Sequence, residues 1–442
     1  MDDFRRLADA VVEDIGAGRL RPGDRLPTQR RFARDRGVAV STASRVYGEL
    51  VRRGVVVGEV GRGTFVRAGG GDPAPVPTEP VTSAVDLELN FPILPGQAEQ
   101  LLGAVRGLLR ADALDVGLRA VGVTGTAAAR AAAVGVLSVP GWSPDPDGVV
   151  FAGNGRQAVA AAVSALVGPG GRIAVEALTY PVVRGIAARL GVDLVPVAVD
   201  AEGMRPDALA ACGPVGAVYL QPTLHNPLGT TMSPRRRAEI AAVLDELDLP
   251  AVEDRVNAFL RPDPPPLAVW APRRTVVVDS LSKRVAPGLS LGYLVAPPPL
   301  VARVAAAVRG GGWAATAFAV EVATRWSADG AVAGIERDKR ADAAARQRLV
   351  ADRLAGFTVR ADPAAYHCWW ELPAPWRAET FVAAAARRGV AVTPAAAFAV
   401  GASHAPNAVR LALGSPTTAA LDTALATLAA LAATDPHDTG VE

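Results

Sequence analysis

The stretch Val276–Tyr293 reads VVVDSLSKRVAPGLSLGY, and the class of fold turns on it. An apolar run, Thr275–Val278, ends just before Lys283. Lys and Arg together number 46, and only two of them are lysines, Lys283 and Lys339. A lysine kept beyond a strand end suits a task that guanidinium cannot perform, which is to lose a proton and attack a carbonyl as a Schiff-base nucleophile. The position equally suits a snorkelling lysine with its stem on the strand. Residues elsewhere in the chain decide between these readings.

At 442 residues the chain is long enough for two or three domains. No apolar run reaches the ~18–20 residues of a membrane span. The N-terminus, MDDFRRLADAVVED, carries charges where a signal peptide needs apolar residues, so a cytoplasmic protein is expected. Cys212 and Cys368 have neither metal spacing nor a disulfide framework, and four scattered histidines offer no metal site.

Charge is uneven. Residues 1–68 hold 14 Arg against nine acids, a balance of +5, which leaves −3 for the rest of a chain whose net charge is +2. A basic module on an acidic body points to nucleic acid as partner of the module. Phe4, Leu7, Ala8, Val11, Val12 and Ile15 fall at helical spacing. Thr28 caps a second helix, Gln29–Arg36, and Ser41 or Thr42 caps a third that runs to Arg53. Val55–Val57 and Thr64–Val66 flank a turn and read as a hairpin. Three helices and a hairpin make a winged helix-turn-helix, whose third helix enters the major groove by its N-terminal end.

The stretches PGDRLPTQRRFARDRGV, STASRVYGELVRRG and GRGTFV resemble the DNA-binding domain of the GntR family of bacterial regulators. The resemblance implies DNA contacts from Arg25, Arg30, Ser41, Thr42 and Arg45, and from Arg62 and Gly63 in the wing. Val40 stands where many members have Arg.

Residues 69–85 are rich in Gly and Pro and read as a linker. From residue 86 the composition is globular again. Strand candidates Val149–Ala152, Arg172–Val175, Asp193–Val197, Ala217–Leu220, Ala251–Glu253, Thr275–Val278 and Gly292–Val295 alternate with Ala-rich helical stretches. That alternation predicts an α/β domain with a mainly parallel central sheet. Phe357–Leu413 reads as a smaller α+β C-terminal lobe.

Four groups sit at strand ends. Gly153-Asn154-Gly155-Arg156-Gln157 opens a helix and is an anion cradle or simply a tight turn. Asn226, before Pro227 and ahead of Gly229, is a ligand or an Asx turn. Asp254 faces a ligand or caps the next element. Ser280-Leu281-Ser282-Lys283 is the fourth. In this order they resemble the fold-type I aminotransferase superfamily, over residues 86–431. The resemblance implies pyridoxal 5′-phosphate bound as a Schiff base at Lys283, with Asp254 at the pyridine nitrogen and Asn226 at the ring oxygen. It implies phosphate contacts from Gly155, Arg156, Gln157, Ser280 and Ser282, and ring stacking by Tyr180. Arg410, in NAVRLALG, is the match for the Arg that grips a substrate or effector carboxylate.

A GntR-type head on such a body resembles the MocR-type regulators, which implies DNA-operator binding, control by the cofactor or an amino compound, and a head-to-tail, domain-swapped homodimer. The alternatives are a working aminotransferase with an accessory head, and a regulator with a degenerate pocket. Three features depart from the family pattern: Val121-Gly122-Val123-Thr124-Gly125 holds no Tyr where a phosphate-binding one often stands, and two single positions differ. Val256 replaces a Tyr, and Ser290 replaces a phosphate-binding Arg, with Arg156 and Arg284 the neighbouring cations available to substitute for it.

Overall fold

The computed structural model describes residues 3–16, 19–21, 23–52, 55–59, 63–66, 84–107, 115, 118–401 and 405–436. The chain divides into two compact units, residues 1–89 with 349–360 and 367–442, and residues 90–348 with 361–366.

In the first unit the helices Asp3–Gly16, Gln29–Arg36 and Val40–Arg52 precede an antiparallel hairpin, Val56–Glu59 with Gly63–Val66. This is the winged helix-turn-helix read from the sequence. Thr28 Oγ1 accepts from Arg31 N at 3.3 Å, the cap the sequence predicts. The third helix begins earlier than expected, at Val40. Ala43 N donates to Ala39 O, which closes the first turn ahead of the hydroxyls, so Ser41 and Thr42 lie inside that turn and do not cap it. Its inner face buries Val46, Tyr47 and Leu50. The Tyr47 ring meets Phe32 edge-on at 5.4 Å, and its hydroxyl donates to Pro27 O at 2.5 Å. Of the expected linker, residues 69–83 lie outside the described residues, and Val85 already belongs to a strand.

The same unit holds a five-stranded sheet in the order Thr358–Ala361, His367–Glu371, Ala408–Ala412, Val390–Pro394, Val85–Leu87. Trp370 and Trp376 both pack edge-on against Phe381 beneath it, with ring centroids 5.4 Å apart in each pair.

The second unit is built on seven strands in the order Val149–Ala152, Gly292–Val295, Thr275–Ser280, Ala251–Asp254, Ala217–Leu220, Arg172–Glu176, Asp193–Val197. Gly292–Val295 runs antiparallel to both neighbours, and the other pairs are parallel. The central strands are buried along their whole length, which is why they read mainly as apolar runs, with Glu253, Asp254 and Asp279 their buried acids. No helix among the described residues is long and apolar enough to cross a membrane.

Candidate functional site

The carboxyl ends of the second unit's strands gather the polar residues, where open α/β sheets place their ligands. Asp254 ends its strand fully buried. Its Oδ2 accepts from Tyr219 Oη at 2.7 Å and Gln221 Nε2 at 3.1 Å, and its Oδ1 from Val256 N at 3.1 Å. Burial raises the Asp254 pKa, and hydrogen bonds from Tyr219, Val256 and Gln221 pull it back. Among the described residues no cation is paired with it. Gln221 Oε1 accepts from Asn226 N at 3.1 Å, so one amide side chain ties Asn226 to Asp254.

Glu176, also fully buried, accepts from Gln221 N at 2.9 Å and lies 3.8 Å from His225 Nε2. Burial pushes its carboxyl up to about 8, with Asp254 adding to the rise. A folded-state value above the ordinary 4.5 means a contribution to stability that is complete below that pH and lost as pH rises through 8. Glu176→Gln is expected to flatten that dependence, raising Tm above pH 8 while leaving it unchanged near 4.5, as thermal unfolding across pH would show.

Lys283 lies in the short helix Leu281–Arg284 and is half-buried. Its Nζ donates to Asn90 O at 2.5 Å and sits 4.1 Å from the centre of the Phe91 ring. Beside it runs a chain of hydroxyls. Ser280 Oγ donates to Ser282 Oγ at 2.8 Å, and Ser282 Oγ is 2.5 Å from Ser290 Oγ. Whichever of that second pair donates, one hydroxyl proton is left over for a ligand.

The helix Gly155–Leu166 starts against this chain. A Cβ at Gly155 would lie 3.0 Å from Ser280 Oγ, so glycine keeps the space beside the hydroxyl open. The first-turn N–H groups of Gly155 and Arg156 have no partner within the helix. The Gln157 N–H donates to the capping Asn154 Oδ1 at 3.0 Å. Arg156 is exposed. Arg284 does not replace the missing cation. It is buried and committed to Asp279, at 2.6 Å, and to Glu336. Tyr180 is half-buried at the start of the helix Pro181–Leu190; the Tyr219 phenol's pKa is raised well above its ordinary value by burial first and then by Asp254, with Tyr180 adding the least.

In the first unit Arg410 is buried on its strand, donating through Nη2 to Glu88 O at 2.5 Å and Thr393 Oγ1 at 3.0 Å. On the head, Arg25, Arg30, Ser41 and Arg45 are exposed and Thr42 is half-buried. Arg25 lies across Gly63 of the wing, whose φ of +127° and missing Cβ leave it room. The Arg45 guanidinium stacks 4.0 Å from the Phe4 ring centre. Arg62 lies outside the described residues.

Sequence reasoning missed Tyr219, Gln221, Glu176, Asn90 and Phe91. The first three carried a signal, since each is a polar group in or just past an apolar strand.

The family described as "Bacterial regulatory proteins, gntR family" matches residues 4–66, and "Aminotransferase class I and II" matches residues 121–428. Together they define a DNA-binding module fused to an aminotransferase-fold domain. The HTH-type transcriptional regulator YdeF of Bacillus subtilis is 30% identical over 429 residues, 94% of this chain and 91% of that protein. TauR of Rhodobacter capsulatus is 29% identical over 335 residues, covering 68% of this chain and 69% of its own. The pyridoxine biosynthesis transcriptional regulator PdxR of Corynebacterium glutamicum is 26% identical over 319 residues, 69% of this chain and 68% of its own. Among solved structures, Pyrococcus horikoshii kynurenine aminotransferase superposes with a TM-score of 0.71 at 21% identity, over 80% of this chain and 91% of that one. The chain belongs to the aminotransferase class I and II family, in the MocR-type architecture of HTH transcriptional regulators.

Proposed function

We propose that this DNA-binding regulator holds pyridoxal 5′-phosphate in its second unit, linked to Lys283, and that occupancy of this site sets how its heads engage an operator. The carrying observation is Asp254, a buried carboxylate with three neutral donors and no cation among the described residues. A protonated pyridine nitrogen is a cation that suits such a group. When bound, the cofactor supplies an aldehyde for an amine and a ring that withdraws electrons.

The chain's own residues do the rest. Asp254 holds the ring nitrogen's proton, and Tyr219 and Gln221 keep the carboxylate oriented. Asn226 stands to donate to the ring oxygen, Tyr180 covers a ring face, and the Gly155 turn with Ser280, Ser282 and Ser290 receives the phosphate. Arg410 serves a carboxylate on an amino-compound effector. A twofold dimer of the chain would present two heads to two half-sites. The relatives' names as regulators support control of transcription over turnover.

Titration with the cofactor tests this reading. A visible absorption band should appear, and affinity for DNA from upstream of the protein's own gene should change with it. Asp254→Asn should weaken the cofactor about tenfold or more, since it removes a charge-assisted hydrogen bond. Absence of a band at saturating cofactor, or an Asn variant that binds as the wild type does, would refute it.

A further inference from the structure

The second lysine has no place in the site as described, yet it is bonded to the first. Lys339 lies on the helix Ala331–Arg353 and is wholly buried. Its Nζ donates to Lys283 O at 2.8 Å and to Val285 O at 2.6 Å. Gln97 Nε2 adds a second donor to Val285 O at 2.9 Å. The helix they hold has four residues, Leu281–Arg284, too few to sustain itself. Its last carbonyls lack helical partners by construction, and an external donor must satisfy them once buried.

We propose that Lys339 is a positioning residue for Lys283: by donating to the carbonyl oxygens of Lys283 and Val285 it fixes the turn that aims the reactive amine. This rests on Lys283 being that amine.

A neutral amine has two N–H bonds, and two carbonyls take both. An ammonium adds a third N–H, for which the described residues show no acceptor. Burial lowers the Lys339 pKa from 10.5 to about 7, against Glu336 and Asp342, which raise it. Those acids share its helix. Facing it from the Lys283 turn are Lys283 itself and Arg284, the latter paired with Asp279 and Glu336. From residues 361–366 the Tyr366 hydroxyl lies 2.9 Å from both Lys339 O and Asp342 Oδ2. The folded-state value is depressed, so the charged form costs stability in full below about pH 7, and the cost is relieved as pH rises toward 10.5. The turn is therefore held best on the alkaline side.

With two lysines in the chain, labelling by trinitrobenzenesulfonate followed by peptide mass spectrometry reads Lys283 directly in the full-length protein. In the wild type the Lys283 rate should carry an inflection near pH 7, where Lys339 titrates. Lys339→Met keeps the stem and deletes both donors. It should abolish the inflection, speed labelling of Lys283, and weaken cofactor binding about tenfold, as befits buried acceptors left unsatisfied. Lys339→Arg keeps donors but does not titrate in this range, so it should abolish the inflection alone. Superimposable profiles in wild type and Lys339→Met would overturn the proposal. Should the Met variant not fold, a persistent inflection in Lys339→Arg would overturn it, and loss of the inflection would support it. A wild type that takes up no cofactor ends the functional reading above, while the labelling profiles still decide the role of Lys339.

Discussion

Lys283→Ala is expected to eliminate the visible band of the bound cofactor altogether. The band reports a covalent link, and no other side chain among the described residues offers an amine at that place. Lys339 is buried with its nitrogen turned to two carbonyls. Asp254, Asn226 and the serine chain remain in the variant, so residual binding should persist, weakened by about 3 kcal/mol or more, roughly a hundredfold. Stability should change far less. The substitution removes one hydrogen bond to Asn90 O and one cation–π contact with Phe91, together about 1–2 kcal/mol. Lys283→Arg separates the two effects, since it keeps a cation over Phe91 but has no nucleophilic amine. Difference spectra and equilibrium dialysis supply both measurements, and a band surviving in Lys283→Ala would show that the link lies elsewhere.

The second large effect belongs to the head. Replacing Arg25, Arg30 and Arg45 together by Ala should lower DNA affinity by about 10²–10³ and reduce the slope of log K against log salt by about three. Each guanidinium is exposed, while Arg19, Arg31 and Arg36 pair with the acids Asp14 and Asp35. Arg30, at the start of its helix, suits a phosphate, so its single substitution should weaken all sequences alike. Ser41 and Thr42, in the first turn of the third helix, should alter preference between sequences instead. Fluorescence anisotropy across a salt series distinguishes these outcomes. Arg45 also stacks on Phe4, so circular dichroism of the triple variant must show the helices intact.

How much of this was legible depended on distance along the chain. The buried strands announced themselves as β-branched runs, and all seven lie where they were read. Three run past their predicted ends, because Glu176, Asp254 and Asp279-Ser280 continue the backbone ladder with polar side chains that hydrophobic patterning cannot see. The head was legible because its helices and turns are local, the exception being the third helix, which starts at Val40 ahead of the expected cap. Lys283, Asp254 and Asn226 were singled out because strand ends in order are a linear signal. What was missed is held by contacts between remote segments. Asn90 meets Lys283 across 193 residues, and Lys339 reaches it across 56. Arg284 misled partly for the same reason: as a sequence neighbour of Lys283 it looked available, but nearby Asp279 and remote Glu336 already claim it.

Ser290 has a consequence for what kind of instrument this protein can be. Its hydroxyl closes a neutral chain with Ser282 and Ser280 where a guanidinium would have gripped an anion. Each ~1.4 kcal/mol forgone there moves the half-saturation point for an anionic ligand about tenfold upward. A detector reports only over the range in which it fills and empties. On the proposed function, a site closed by three hydroxyls instead of a charge would fill and empty over a higher range of supply.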